Sequence, residues 1–201
     1  YKASQESTSS TAKELAFEED LLEEALCLFI TDHQTAGRGR GKNTWTDAKA
    51  GSSLLSSWSY LLPIKPQPTA APLVGLAVYR ACSTTWPFLD WNLKAPNDIY
   101  IGDKKVAGIL LETVAQADEV RFIVGLGVNI MASPEAVETS TSVLESLPTG
   151  APLLGEDYTA FLDRLLFEMT DAASHCDQPL SPTDQLSLSL IHISEPTRPL
   201  Y

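Results

Sequence analysis

A run of three β-forming segments between residues 91 and 130 constrains the fold more than any other feature of the chain. A Gly-Asp pair at positions 102 and 103 separates two apolar stretches, which is typical of a β-hairpin turn. Strands joined by short turns pair with their sequence neighbours, so the run indicates a sheet built largely from hairpins. The three segments are WNLK (91–94), IYIGDKKVAGILLETV (99–114) and VRFIVGLGVNI (120–130).

Helical and strand patterns surround this run. Leucine and alanine recur at a helical period in residues 12–26, and the apolar segment 73–86 and the amphipathic segment 157–174 also predict helices. Two short apolar segments, 27–31 and 52–62, predict further strands. Helices around a sheet of hairpins define the α+β class, so we predict a mixed sheet flanked by helices.

Composition bounds the class of protein. A length of 201 residues with 44% hydrophobic content suffices for one domain with a buried core. The formal net charge of −12 argues against nucleic-acid binding over the whole chain, because neutralising phosphates needs a basic face. No apolar run reaches the ~18 residues of a membrane-spanning helix, and the polar N-terminus lacks a signal-peptide core. We therefore expect a cytoplasmic protein with neither a DNA nor a membrane partner.

Residues 31–45, TDHQTAGRGRGKNTW, concentrate glycine and positive charge in one short stretch. Glycines let the backbone approach a ligand, exposed N–H groups in such a loop bind anions, and arginines add bidentate donors. The stretch is not a P-loop, because Ala36 and Asn43 stand where glycine and Ser/Thr belong, and its G-x-G-x-G spacing is not a dinucleotide fingerprint. Alone, it predicts an anion-binding loop, with a solvated arginine loop as the alternative.

Two further segments carry candidate binding residues. Lys105 stands at the edge of the apolar segment VAGILLE near the small residue Gly108, where a lysine can reach inward and leave room for a ligand. A solvated hairpin lysine is the other interpretation. Glycines interrupt the segment GLGVN (125–129), which indicates close backbone approach, and Asn129 needs hydrogen-bond partners if it is buried.

Five motifs follow one another in order along the chain. They are SST (9–11), Q-x-A-GRGR-x-x-x-x-W (34–45), K-x-PND-I-Y (94–100), D-x-K-V-AGIL-L-E (103–112) and G-x-G-V-N (125–129). Together they resemble the catalytic domain of the biotin–protein ligases over residues 8–175. The resemblance implies a fold like the catalytic core of the class II aminoacyl-tRNA synthetases. It also implies two reaction steps: ATP with Mg²⁺ converts biotin to biotinyl-5′-AMP, and a lysine of a biotin carboxyl carrier protein then takes the biotin.

The resemblance assigns the biotin side of the site by position. Ser10, Thr11 and Gln34 match residues that line the ureido ring of biotin. Lys105 matches a lysine near the biotin carboxylate and the α-phosphate, with Gly108 in the same motif.

The loop and the nucleotide side are assigned in the same way. Residues Gly37, Arg38, Gly39 and Arg40 match a loop that orders over biotin and the adenylate. Arg38, Arg40 and Lys105 are the implied catalytic residues, and no metal-ligating side chain is implied. The nucleotide side is assigned to Lys94, Asn97, Asp98 and Asn129.

The chain also departs from the family pattern. Ala95 replaces the tryptophan of a KWPND motif, and Ala12 replaces the asparagine that often follows the Ser-Thr pair. We expect residues 1–180 to form the catalytic domain without the family's C-terminal SH3-like barrel, and activity to be reduced. Residues 181–201 are expected to be a non-native or disordered tail, because SLSLIHISEPTRPLY (187–201) resembles a translated sequencing adapter. No helix-turn-helix precedes the motifs, so no DNA binding is expected, while the resemblance allows a homodimer.

Two other functions remain open from the sequence. Lipoate–protein ligases share the adenylate chemistry, but the G-G-G-x-x-x-H pattern expected of their substrate loop is not found. A truncated ligase core could also bind biotin without turnover. Comparing the binding of biotin and lipoate distinguishes a biotin ligase from a lipoate ligase. Measuring adenylate formation distinguishes an active ligase from a domain that only binds biotin.

Overall fold

A computed structural model describes residues 1–21 and 23–192 of the chain. Within that part, seven strands form a single sheet in the order β1-β2-β3-β7-β6-β5-β4. The strands are β1 (Lys2–Gln5), β2 (Leu26–Gln34), β3 (Ser53–Leu62), β4 (Trp91–Lys94), β5 (Asp98–Ile101), β6 (Lys104–Gln116) and β7 (Glu119–Asn129). The helices are α1 (Thr8–Glu14), α2 (Ala70–Thr85), α3 (Val143–Ser146), α4 (Gly155–Ser174) and α5 (Pro182–His192).

Strand pairing confirms the predicted class. The β1–β2 pair is parallel, and every other neighbouring pair in the sheet is antiparallel, so the sheet is mixed. The predicted hairpin joins β5 to β6 through Gly102, whose φ of 55° lies in the left-handed region that glycine adopts without strain. The fold is therefore α+β, with helices against a sheet made mostly of hairpins.

The two faces of the sheet differ in what covers them. Successive side chains of β7 point to opposite faces, so Val124, Leu126 and Val128 join the core with α2 and α4, while Gly125 and Gly127 face the other way. Helix α1 lies on this second face, against β2, β3 and β7. The largest buried side chains of the core include Trp58, Val74, Leu76, Phe122, Phe161 and Leu165.

The helix predicted over residues 12–26 is wrong for most of its length. The structure has α1 ending at Glu14 and only a short 3-10 turn at Glu19–Leu21; Leu22 lies outside the described residues. The reason is Arg121, a fully buried arginine of β7 whose guanidinium binds backbone carbonyls of this segment, at Ala16 and Glu24 among others. Carbonyls that bind Arg121 favour an irregular path over a continued helix.

Two other boundaries differ from prediction. Strand β2 continues to Gln34 rather than ending at Thr31, because β1 pairs in parallel with its last residues. Helix α5 occupies residues 182–192, which were predicted to belong to a non-native or disordered tail; this part of the chain is helical. Its Leu188 packs against the core, and Asp184 pairs with Arg80 of α2 at 2.7 Å. Residues 193–201, with most of the adapter-like segment, lie outside the described part, and their non-native origin stays a prediction.

Among the described helices, none combines the length and the apolar content needed to cross a bilayer.

Candidate active site

A small cavity of about 100 Å³ lies on the α1 side of the sheet, at the ends of the elements that the sequence motifs mark. The structure brings most of the predicted residues together there. Those that line the cavity are Gln34, Arg38, Gly39, Arg40, Asn97, Asp98, Lys105 and Gly108. Further lining residues, to which the sequence assigned no ligand contact, include Thr8, Ser9, Ser56, Gly125 and Gly127.

Glycines of two adjacent strands form the floor of the cavity. Gly108 of β6 pairs directly with Gly127 of β7, and the indole of Trp45 lies against both. A Cβ added to Gly127 would stand 2.5 Å from the Trp45 ring, and one added to Gly108 would stand 2.9 Å from it. Trp45 therefore needs both positions to be glycine, and its buried indole nitrogen has no hydrogen-bond partner among the residues that the structure describes.

The floor also explains the size of the cavity. Pockets that hold small-molecule ligands usually measure ~300–1,000 Å³, so about 100 Å³ is too small for a substrate the size of biotin plus a nucleotide. Trp45 and the Gly/Arg loop fill the remaining space. The loop is closed on itself by a 3.0 Å hydrogen bond from the Trp45 amide to the Gly37 carbonyl, and by one of 2.9 Å from Gly39 to Asn43. We therefore expect the loop to move when a substrate binds.

Hydroxyl and amide groups gather at one end of the cavity. The backbone N–H of Thr8 donates to Oε1 of Gln34 at 2.8 Å, and the Thr8 hydroxyl donates to the same oxygen at 3.3 Å. Ser9 and Ser57 place their Oγ atoms 3.1 Å apart. Ser9 fits because residue 125 is glycine: a Cβ there would stand 2.4 Å from the Ser9 Oγ.

The structure brings Thr8 and Ser9 to the cavity rather than the Ser10-Thr11 pair assigned from the sequence. Neither Ser10 nor Thr11 lines the cavity, and the Thr11 hydroxyl instead donates to Gln5 at 2.9 Å. A second Ser-Thr pair, Ser7-Thr8, precedes the assigned one and stands at the start of α1, where Ser7 is the N-cap residue. Thr8 and Ser9 are therefore the residues of this segment that line the cavity.

The carboxylate of Glu112 pairs with a cation of the loop, Arg38, and with Lys13 of α1. Glu112, near the middle of β6, accepts two hydrogen bonds from Arg38, at 2.8 and 2.7 Å, and one from Lys13 of α1 at 2.9 Å. Burial opposes the charge of Glu112, but the hydrogen bonds from Arg38 and Lys13 outweigh it and hold its pKa below the usual value. Glu112 belongs to a motif noticed in the sequence, but nothing in the pattern separated it from a surface glutamate.

Lys105 is held from two directions. Its ammonium pairs with Asp98 at 2.6 Å. Its backbone pairs with the segment after β7: the Lys105 N–H donates to the Thr139 carbonyl at 2.8 Å, and the Thr141 N–H donates back to Lys105 at 2.9 Å. Lys105 therefore lines the cavity with its ammonium paired to Asp98, and its part in binding stays a prediction.

Three predicted residues lie beside the cavity rather than in its wall. Asn129 is buried, donates to the Thr141 carbonyl at 3.1 Å and accepts from Ser53, so it supports the segment that holds Lys105. Gly37 forms the loop closure with Trp45. Lys94 is exposed and lies over the ring of Tyr100, 5.9 Å from its centroid.

The comparisons with known proteins agree on a family. A sequence model of the biotin/lipoate A/B protein ligase family matches residues 1–129. The bifunctional ligase/repressor BirA of Bacillus subtilis is 35% identical over 113 residues, which are 53% of this chain and 33% of that protein. The biotin–[acetyl-CoA-carboxylase] ligase of Mycobacterium tuberculosis is 33% identical over 147 residues, 71% of this chain and 52% of that protein.

A solved structure resembles most of the fold. The biotin protein ligase from Aquifex aeolicus in complex with biotin and ATP aligns with a TM-score of 0.60 at 26% identity, covering 83% of this chain and 68% of that one. The match confirms the predicted architecture of the sheet and its helices. The chain spans between about a third and a half of the curated relatives described above.

Proposed function

Because the chain belongs to the biotin/lipoate A/B protein ligase family, we propose that it activates biotin with ATP and transfers it to a lysine of a biotin carboxyl carrier protein. A relative named biotin–[acetyl-CoA-carboxylase] ligase and a structural neighbour that holds biotin and ATP support this choice within the family. The observation that carries it is a single cavity with a hydrogen-bonding end and a cationic end.

The hydrogen-bonding end favours biotin over lipoate. The ureido group of biotin offers one carbonyl acceptor and two N–H donors, whereas the dithiolane ring of lipoate has no N–H or O–H group. Buried polar groups that a ligand leaves unpaired cost about 1–3 kcal/mol each. A site lined by Thr8, Ser9 and Gln34 therefore suits a cyclic urea and rejects a dithiolane.

The cationic end suits the reaction itself. An oxygen of the biotin carboxylate attacks the α-phosphorus of ATP, a new P–O bond forms, and pyrophosphate leaves. Both reactants are anions, so the donors of Arg38, Arg40 and Lys105 offset their repulsion and the charge that develops at phosphorus. Positioning supplies much of the remaining rate, because the substrate carboxylate is itself the nucleophile.

In the second step, a lysine amine of the carrier protein attacks the acyl carbon of the adenylate. An amide bond forms, AMP leaves, and the amine loses a proton. Asn97 and Asp98 line the cavity on the Lys105 side, which is where we place the nucleotide. The Gly/Arg loop would keep water away from the mixed anhydride until the carrier lysine arrives.

Magnesium is a further expectation from the resemblance. Within residues 1–21 and 23–192, no group of three or more His, Cys, Asp or Glu side chains is arranged to hold a metal ion. Asp98 and Glu112 are each paired with a cation. These residues do not fit a resident Mg²⁺ site, so we derive no step through it; Mg²⁺ would arrive bound to the phosphates of ATP.

The test is a pair of measurements on the purified chain. Calorimetric titration should give biotin binding and much weaker lipoate binding. With ATP and Mg²⁺ present, biotin should then release pyrophosphate. Lys105→Met should lower that rate about a hundredfold, and Lys104→Met, the same change at the exposed neighbour, should leave it unchanged. A chain that binds lipoate better than biotin, or that releases pyrophosphate equally with both lysine variants, would refute the proposal.

A further inference from the structure

Ser57 is a polar residue that the cavity does not expose. It stands in the middle of β3, is 0% exposed, and lies under Thr8 and Ser9 of α1. Its hydroxyl donates to the Thr8 Oγ1 at 2.8 Å, and its Oγ is 3.1 Å from that of Ser9. Nothing in the proposed reaction uses Ser57 directly.

The bonding around Ser57 fixes the direction of each hydroxyl. The Thr8 hydroxyl donates its only hydrogen to Gln34 Oε1. Its oxygen can therefore only accept a hydrogen bond from Ser57. Ser57 therefore donates its own hydrogen to Thr8. Between Ser57 and Ser9, Ser9 must therefore be the donor.

The same chain of hydrogen bonds orients the groups that face the cavity. Gln34 Oε1 accepts from both the N–H and the hydroxyl of Thr8, so the other end of the amide, Nε2 with its two N–H groups, is the part left for a ligand. At the opposite end, Ser9 has given its hydrogen to Ser57, so its oxygen is left as an acceptor. The end of the cavity thus presents donors from Gln34 and an acceptor from Ser9.

We propose that Ser57 is a positioning residue: it holds Thr8 in place against Gln34 and fixes Ser9 as an acceptor, and the cavity thereby favours a cyclic urea as the head group of the substrate. A urea matches the pattern because its carbonyl accepts from Gln34 and its N–H groups donate to hydroxyl oxygens such as that of Ser9. The inference rests on the proposed function and deepens it, since it names a buried residue that makes the cavity specific.

Ser59 provides a matched control on the same strand. It stands two residues further along β3, so it points to the same face, and it is 2% exposed. Its hydroxyl makes no side-chain hydrogen bond within the described part of the chain. Ser57→Ala and Ser59→Ala therefore remove the same atom from similar surroundings, and only the first interrupts the chain of hydroxyls.

The first readout needs no ligand. In ¹⁵N-labelled protein, the side-chain NH₂ resonance of Gln34, assigned by its loss in Gln34→Glu, should shift in Ser57→Ala and stay in place in Ser59→Ala. An unshifted Gln34 resonance in Ser57→Ala would overturn the inference whatever the protein binds.

The second readout is ligand selectivity. For Ser57→Ala we expect the KM for biotin to rise about tenfold with kcat little changed. Dethiobiotin, which keeps the urea, should be weakened by the same factor, while lipoate binding should change less than twofold. Ser57→Cys, which restores a weak donor, should recover part of the loss.

The outcomes separate the two proposals. Equal loss for biotin and lipoate would mean general damage to the fold and would overturn the role of Ser57 while leaving the ligase function standing. Wild-type protein that binds no biotin would refute the proposed function and the selectivity role together, even if the Gln34 resonance shifts.

Discussion

Arg38 and Glu112 meet through two parallel hydrogen bonds, at 2.8 and 2.7 Å, that join the Gly/Arg loop to the middle of β6. Lys13 completes the group from α1, so a single carboxylate links three separate elements around the cavity. Paired hydrogen bonds fix orientation as well as distance, because the guanidinium and the carboxylate are both planar. The closed position of the loop therefore depends on Glu112.

Removing this charge should loosen the loop. In Glu112→Gln the side chain keeps its shape but loses its charge, so Arg38 holds the loop more weakly and biotinyl-5′-AMP should escape about ten times faster. Release of labelled adenylate into a trap measures the rate. Glu119→Gln, the same change at an exposed position of β7, is the control. Equal release from the two variants would contradict the role given to Glu112.

The same carboxylate should make stability depend on pH. The pKa of Glu112 is lowered in the folded state, so its contribution is fully present above its unfolded pKa of about 4.3 and is lost as pH falls through the lower folded value. Wild type should therefore be more stable than Glu112→Gln at pH 7, with the difference shrinking below about pH 4. Urea unfolding of both proteins between pH 7 and 3 measures it; a constant difference would refute it.

The floor of the cavity should not tolerate a methyl group. Gly127→Ala places a carbon 2.5 Å from the Trp45 ring, so we expect about 1–3 kcal/mol of destabilisation as the ring moves. Gly155→Ala, where a Cβ meets nothing within 4 Å, is the matched control. Trp45→Ala should relieve the clash, so the double variant should lose much less than the sum of the two changes. Full additivity in thermal unfolding would count against this contact.

The assignment of the Ser-Thr pair can be tested by one substitution at two positions. Thr8→Val removes the hydroxyl that bonds Gln34 and should weaken biotin binding about five- to tenfold. Thr11→Val removes a hydroxyl that bonds Gln5, outside the cavity, and should leave affinity within twofold. Calorimetric titration with biotin measures both affinities. A larger loss of affinity in Thr11→Val than in Thr8→Val would support the Ser10-Thr11 pair assigned from the sequence.

Arg121 should be necessary for the segment between α1 and β2. Arg121→Met removes the side-chain donor of the Ala16 and Glu24 carbonyls and leaves the Leu21 carbonyl with only the Glu24 N–H, so we expect about 2–4 kcal/mol of lost stability. Amide hydrogen exchange should rise first in residues 16–24. Lys65→Met, at an exposed position, controls for the loss of a charge. Unchanged exchange in that segment would show that other contacts hold it.

Much of the sheet could be predicted from the sequence because its signals are local. The turn at Gly102 and the apolar segments around it needed no distant partner, and they gave β5, β6 and β7 close to their observed bounds. The Gly/Arg loop and Lys105 were also identified, since glycine and cation patterns are rare enough to stand out.

The errors share a physical origin, which is long-range pairing. The helix over residues 12–26 fails because Arg121, about a hundred residues later, binds its carbonyls. The structure brings Thr8 rather than Thr11 to the cavity through contacts with Gln34 and Ser57, which no local pattern around either threonine indicates. Glu112 and Ser57 carried no local signal, since their importance lies in partners on other elements.

The glycine floor also bears on how this protein should be surveyed by mutagenesis. Truncation to alanine assumes that every substitution takes atoms away, and its scores are read as the worth of what was removed. At Gly108, Gly125 and Gly127 the function of the residue is the space it leaves, already occupied by Trp45 or Ser9. Alanine there adds a methyl group, so the variant reports the cost of filling this space rather than the loss of a contact. A survey that skips glycines would therefore miss the residues that form the floor of the cavity.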